Sequence, residues 1–139
     1  MIQLIYVSSA TKEMTEEDLL YLLEQSRTRN LKQHVTGMLL YLNRNFIQVL
    51  EGDTQDVDDI YEDIIKDDRN TGNILMVKEE INERIFPDWS MGFKNLNMDN
   101  KEIIAGYTEF LNKEMTPNLI ANKPNVIVNL LYSFKNNNA

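Results

Sequence analysis

Cysteine is missing altogether from this 139-residue chain, and histidine occurs once, as His34. Without thiols there is no disulfide framework, no thiolate nucleophile and no Cys-based metal centre, and one imidazole cannot build a multi-histidine site. Cations are also in short supply: 14 Lys and Arg stand against 22 Asp and Glu, a formal net charge of -8. Proteins hold nucleic acid largely through Lys and Arg on phosphates, so a nucleic-acid partner is not expected. No apolar run is long enough to span a bilayer, and residues 1–8 lack the basic start and apolar stretch of an export signal. A soluble, cytoplasmic protein with no membrane partner is the expectation.

What remains is ordinary globular material, 42% hydrophobic and 26% charged, enough for one core and too short for two comfortable domains. Residues 1–8 and 35–42 carry the β-branched and apolar alternation of strands. Asn43, Arg44 and Asn45 supply turn chemistry before a third run over 46–51, which makes a hairpin. Between the first two strands, Thr15 with Glu16, Glu17 and Asp18 forms an N-cap and acidic first turn, followed by Leu19, Leu22 and Leu23 at helical spacing. After the turn at Gly52, Val57, Ile60, Tyr61, Ile64 and Ile65 repeat that period, and residues 70–73 stop it. Residues 74–81 give a fourth strand. Beyond the break at Phe86, Pro87 and Asp88, the alternation of Trp89, Met91 and Phe93 gives a short fifth. The order βαββαββ, with right-handed crossovers, predicts a ferredoxin-like α+β sandwich with both helices on one sheet face and strands one and three adjacent at its centre. Ile103, Ile104, Tyr107, Phe110 and Leu111, then Val126, Ile127, Leu130, Leu131 and Phe134, mark two C-terminal helices able to cap the other face, with Pro117 and Pro124 bracketing the loop between them.

Several polar residues fall where apolar ones belong. Gln48 shares a strand face with Phe46 and Leu50, Tyr6 shares one with Leu4, and the stripe of the first helix runs on into Ser26 and Asn30. A buried primary amide without partners costs on the order of a few kcal/mol, so Gln48 must be hydrogen-bonded to something. Singly, each such residue is more often a satisfied core group than a ligand contact. Converging between helices and sheet, they outline a polar pocket suited to a flat heterocycle with edge donors and acceptors.

These residues occur in ordered blocks: Leu4-Ile5-Tyr6-Val7-Ser8-Ser9; Asn30 ahead of Val35-Thr36-Gly37-Met38-Leu39-Leu40-Tyr41; Phe46-Ile47-Gln48-Val49-Leu50-Glu51-Gly52; and Phe86-Pro87-Asp88-Trp89-Ser90-Met91. Over residues 1–97 the chain closely resembles the BLUF family, sensors of blue light using flavin, while residues 98–139 resemble only in plan the helical cap of short members. The resemblance implies a noncovalently bound flavin, FAD with FMN or riboflavin as alternatives. It implies that Tyr6 and Gln48 are the photochemical pair, that Asn30 holds the pyrimidine edge, that Ser26 lies near the flavin or the strand-five Trp89, and that Trp89 and Met91 are the switchable residues of strand five. It also implies a non-enzymatic receptor in which Tyr6 lends an electron and a proton, the Gln48 amide ends rearranged, and absorption shifts to the red. The signal would pass to a downstream protein or through a homo-oligomer. The missing cysteine agrees, because photoreceptors that form a flavin–thiol adduct need one.

Two other classes stand beside this one: a ferredoxin-like interaction module without chromophore, and a small acyl-phosphate hydrolase. The latter needs a phosphate-cradling loop with Arg after strand one, where Ser8, Ser9, Ala10, Thr11 and Lys12 stand instead. Asp53, Asp56, Asp58 and Asp59 lack the spacing of a calcium loop and fit an acidic helix start better. Lys66, Arg69 and Arg29 could meet a ribityl phosphate, although basic residues near helix ends are more often only solvated.

Overall fold

The computed structural model describes residues 1–87, 90–95, 117–122 and 124–133. Strands β1 (Ile2–Ala10), β2 (Thr36–Leu42), β3 (Asn45–Gly52), β4 (Asn70–Glu80) and β5 (Gly92–Asn95) form one sheet in the order β4-β1-β3-β2-β5. Helices α1 (Glu16–Lys32) and α2 (Thr54–Lys66) are the crossovers; α3 (Pro117–Ala121) and α4 (Pro124–Ser133) follow the sheet. The expected ferredoxin-like α+β sandwich is thus present, with β1 and β3 antiparallel neighbours at the centre.

Strands β1, β2 and β3 bury alternate residues in two different cores. Leu4, Tyr6, Leu39, Tyr41, Phe46 and Leu50 meet Leu19 and Leu23 of α1 and Val57, Ile60 and Ile64 of α2. Ile5, Val7, Met38, Leu40, Ile47 and Val49 face Ile120 of α3 and Ile127, Leu130 and Leu131 of α4. Burial on both faces is why β1 and β3 read as nearly unbroken apolar runs. At Gly37 the strands approach so closely that an added Cβ would lie 1.9 Å from the Val49 carbonyl oxygen, so this position admits only glycine.

Thr15 forms the expected cap as a full capping box, its hydroxyl accepting from the Asp18 amide while the Asp18 carboxylate accepts from the Thr15 amide. The β2–β3 hairpin turns on two residues in the left-handed region, Asn43 (φ 49°) and Arg44 (φ 66°), so Asn45 is the first residue of β3 rather than part of the turn.

The structure corrects several boundaries. Strand β1 continues through Ser9 to Ala10, which removes the loop that the hydrolase alternative places there. Helix α2 ends at Lys66, and residues 70–73, expected as the stop, already belong to β4. The stop chemistry is nonetheless used, since Asn70 Nδ2 donates to the carbonyls of Ile64 and Asp67 and so satisfies the helix end from within the next strand. Strand β5 begins at Gly92, later than the alternation suggests, and pairs in parallel with β2 at the sheet edge. The carbonyls of Ser90 and Met91 are engaged by side chains of α1 instead of a ladder. Pro117 and Pro124 do not bracket a loop; each opens a helix, where proline lacks only an amide that would be unpaired anyway. The expected helix around Ile103, Ile104, Tyr107, Phe110 and Leu111 lies outside the described residues, as do Phe134 and the polar tail.

Candidate functional site

Tyr6 and Gln48 are register partners on β1 and β3 and point toward α1 and α2, because they share the strand parity of Leu4, Phe46 and Leu50. The Tyr6 hydroxyl donates to Gln48 Oε1 at 2.5 Å, and Gln48 Nε2 donates to Met91 Sδ at 3.3 Å. Gln48, only 2% exposed, thus stands between a phenol and a thioether. Its two ends are unequally served, since a thioether is a weak acceptor. Burial holds the Tyr6 phenol well above its ordinary pKa, with the Arg29 guanidinium opposing the shift, so the group stays a neutral donor at any physiological pH. The Tyr6 ring packs against Tyr61 of α2 at a centroid distance of 5.2 Å.

On α1 the polar continuation of the apolar stripe faces inward as its spacing predicts. Ser26 and Asn30 are both buried. Asn30 Nδ2 donates to the Ser90 carbonyl at 3.0 Å, while its buried Oδ1 has no hydrogen-bond partner. The neighbouring Arg29 likewise has a buried Nε without an acceptor, and burial pulls its pKa down from the usual guanidinium value. One turn earlier, Arg27 Nε donates to the Met91 carbonyl at 2.9 Å. The structure therefore brings together Tyr6, Gln48, Met91, Ser26 and Asn30. Trp89 lies outside the described residues.

A narrow cleft of about 50 Å³ opens above the phenol and amide, lined among others by Tyr6, Gln48, Ser26, Arg29, Asp67 and Arg69. A second hollow of about 670 Å³ lies beyond it toward the surface and shares Gln25 and Arg29 with the first. Arg29 and Gln25 are thus the partition between an inner polar floor and an outer vestibule. Arg69 grips Asp67 through Nε at 2.9 and 3.0 Å and reaches across to Gln25 Oε1 at 2.7 Å, tying the turn after α2 to α1 at the cleft mouth. That grip holds the Asp67 carboxyl below the usual carboxylate range. Gln25, Asp67 and Asn70 are cleft residues that the sequence reading missed. Its only signal there was the polar stretch after α2, which served as a helix stop. His34 is exposed and has a left-handed backbone, φ 56°.

The orphaned polar atoms test what the cleft can hold. Arg29 lines the cleft with a buried guanidinium N–H that has no acceptor, and the next residue of α1, Asn30, which does not itself line it, keeps a buried amide oxygen without a donor; such a pair suits a ligand whose edge alternates carbonyls with an imide N–H. That is the pyrimidine edge of a flavin, and the residues fit it. The fold and this cleft define a ligand-binding α+β sandwich with a hydrogen-bonded phenol and amide at its floor.

Comparison with known proteins identifies the family. The sequence model described as "BLUF: Sensors of blue-light using FAD" matches residues 1–92. A photoactivated adenylate cyclase subunit beta-like protein of Euglena gracilis is 34% identical over 89 residues, which is 63% of this chain and 10% of that protein. Among solved structures, a bacterial light-regulated adenylyl cyclase superposes with a TM-score of 0.77 at 30% identity, covering 93% of this chain and 36% of that one. The BLUF protein BlrB in its dark state superposes with a TM-score of 0.71 at 28% identity, covering 92% and 96%. The chain belongs to the BLUF family and is a flavin-binding sensor of blue light. It spans about a tenth of the length of the curated relatives it matches. No helix among the described residues is long and apolar enough to cross a membrane.

Proposed function

We propose that light sensing here runs on Tyr6 and Gln48 as the photochemical pair, with Asn30 and Ser26 holding the chromophore and Met91 and Trp89 passing on the change. A bound flavin supplies blue absorption and, once excited, a strong electron acceptor. Asn30 Oδ1 and Arg29 Nε hold its polar edge, FAD being the form favoured and FMN or riboflavin the alternatives. The tricyclic ring is larger than the inner cleft, so Arg29 swings outward into the vestibule to admit it. Tyr6 Oη releases its proton to Gln48 Oε1 and takes it back. The Gln48 carboxamide then stands turned, Nε2 toward Tyr6 and Oε1 toward Met91, because rotation exchanges a donor for an acceptor at each end. Loss of the Nε2 contact at Met91 Sδ is the first event outside the cleft.

The single observation carrying this reading is that one buried amide bridges Tyr6 and Met91. The chain turns over no substrate. It acts in the cytoplasm, residues 1–97 forming the sensor and 98–139 a helical cap, and signals to a downstream protein or through its own oligomer. The light-regulated cyclases among its relatives support the idea of a sensor coupled to a separate effector. Gln48→Ala should still bind flavin but lose the reversible red shift that blue light produces in the wild type. A flavin-loaded variant with normal shift and dark recovery overturns the assignment.

A further inference from the structure

Glu51, the penultimate residue of β3, lies on the sheet face away from the cleft and is fully buried. Among the described residues no cation lies within ion-pair distance of its carboxylate. A buried carboxylate in that position is costly unless several donors replace its water. Here they do: the Ile85 amide donates to Oε1 and Oε2 at 3.0 and 3.1 Å, the Phe86 amide to Oε1 at 2.8 Å, and Gln3 Nε2 to Oε2 at 2.9 Å. The Glu51 carbonyl is used as well, accepting from Arg84 Nη1 at 2.7 Å. Arg84 also donates to Thr36 Oγ1 at 2.9 Å and to the His34 carbonyl at 2.6 Å.

The donors are not scattered. Arg84, Ile85 and Phe86 lie within the connection that leaves β4 after Glu80 and reaches Ser90 and Met91 just before β5, and residues 84–87 and 90–91 belong to no strand. At its far end the stretch is fixed by Asn30 on the Ser90 carbonyl, Arg27 on the Met91 carbonyl and Gln48 on the Met91 sulfur. Met91 is therefore suspended between two anchors, one on each face of the sheet, and Glu51 is the hub of the one remote from the cleft. A carboxylate that merely ended a strand would be solvated by any nearby donors. This one is solvated by the backbone of the connection that delivers the sulfur.

We infer that Glu51 is a positioning residue of the light switch: it clamps residues 84–86 so that Met91 meets Gln48 at a fixed distance. The inference rests on the proposed part of Gln48 and Met91. Glu51→Gln keeps the shape but turns an amide NH₂ toward N–H donors. The flavin-loaded variant should keep its dark absorption. Deuterium uptake of peptides spanning 84–91 should quicken roughly tenfold or more, the scale of losing hydrogen bonds to a charged group. Dark recovery should speed up roughly threefold or more, since a looser Met91 lowers the barrier to turning the amide back. Uptake and recovery at wild-type values overturn the inference, as does an equal effect from Glu62→Gln, an exposed acid on α2. If Glu51→Gln does not fold, Gln3→Met decides by the same readouts, because it removes the side-chain donor to Glu51 Oε2 and leaves the carboxylate itself in place. Failure of the Gln48 reading is separately visible, as a red shift that survives Gln48→Ala.

Discussion

Replacing Tyr6 by Phe removes one oxygen and leaves the ring in place against Tyr61. The lost hydroxyl is the donor to Gln48 Oε1, and the opposite end of that amide is already committed to Met91. Gln48 is 2% exposed, so bulk water replaces the lost donor poorly. An acceptor left unpaired in such a place costs about 1–3 kcal/mol. Burying a phenyl in place of a phenol gives part of that back, which leaves a net loss of about 1–2 kcal/mol, or about 3–10 °C in Tm for a chain of this size. Denaturant or thermal unfolding in the dark, on flavin-loaded protein, measures it. The pH dependence adds a sign. Burial raises the folded pKa of Tyr6 above its ordinary value of 10.0, so the stabilisation that the neutral phenol contributes is complete below that value and is lost as pH rises above it. Phe cannot ionise in the unfolded chain, so the gap between wild type and variant should narrow above about pH 10. In the same samples the light-induced red shift should vanish. A Tyr6→Phe protein as stable as wild type, with a normal red shift, would refute both the buried hydrogen bond and the pairing built on it.

Two further outcomes follow from packing and charge. Gly37→Ala places a methyl 1.9 Å from the Val49 carbonyl oxygen and should destabilise by at least about 3 kcal/mol, measured as a lower denaturant midpoint or loss of soluble protein; an unchanged midpoint would mean that β2 and β3 are not packed this closely. The Asp67 carboxyl is held below its ordinary value of 3.8, chiefly by the Arg69 side chain, so its stabilisation is present above that pH and lost on acidification through the lowered value. Asp67→Asn should therefore flatten the fall in stability on acidification below about pH 4, and an acid limb as steep as that of the wild type would count against the Arg69 clasp.

Much of this protein is written locally. Period two and period three-and-a-half patterns mark β1 to β4, α1 and α2, and the Thr15 cap and the Asn43–Arg44 turn are decided by side chains a few residues apart. The inward course of Ser26, Asn30 and Gln48 follows from the same periods, because a polar residue at an apolar phase has to enter the core. What the sequence could not place were groups whose position depends on distant chain. Asp67, Asn70 and Gln25 become cleft residues only when the turn after α2 folds over α1. Strand β5 starts late because Arg27 and Asn30, some sixty residues earlier, take the carbonyls that a longer strand would have used. Glu51 lies in a familiar block, yet its partners Gln3, Ile85 and Phe86 are 48, 34 and 35 residues away. Local spacing determines which face a side chain takes, since that depends only on the backbone repeat. Which donor meets a buried acceptor is settled by the packing of remote segments, and only the tertiary structure holds that.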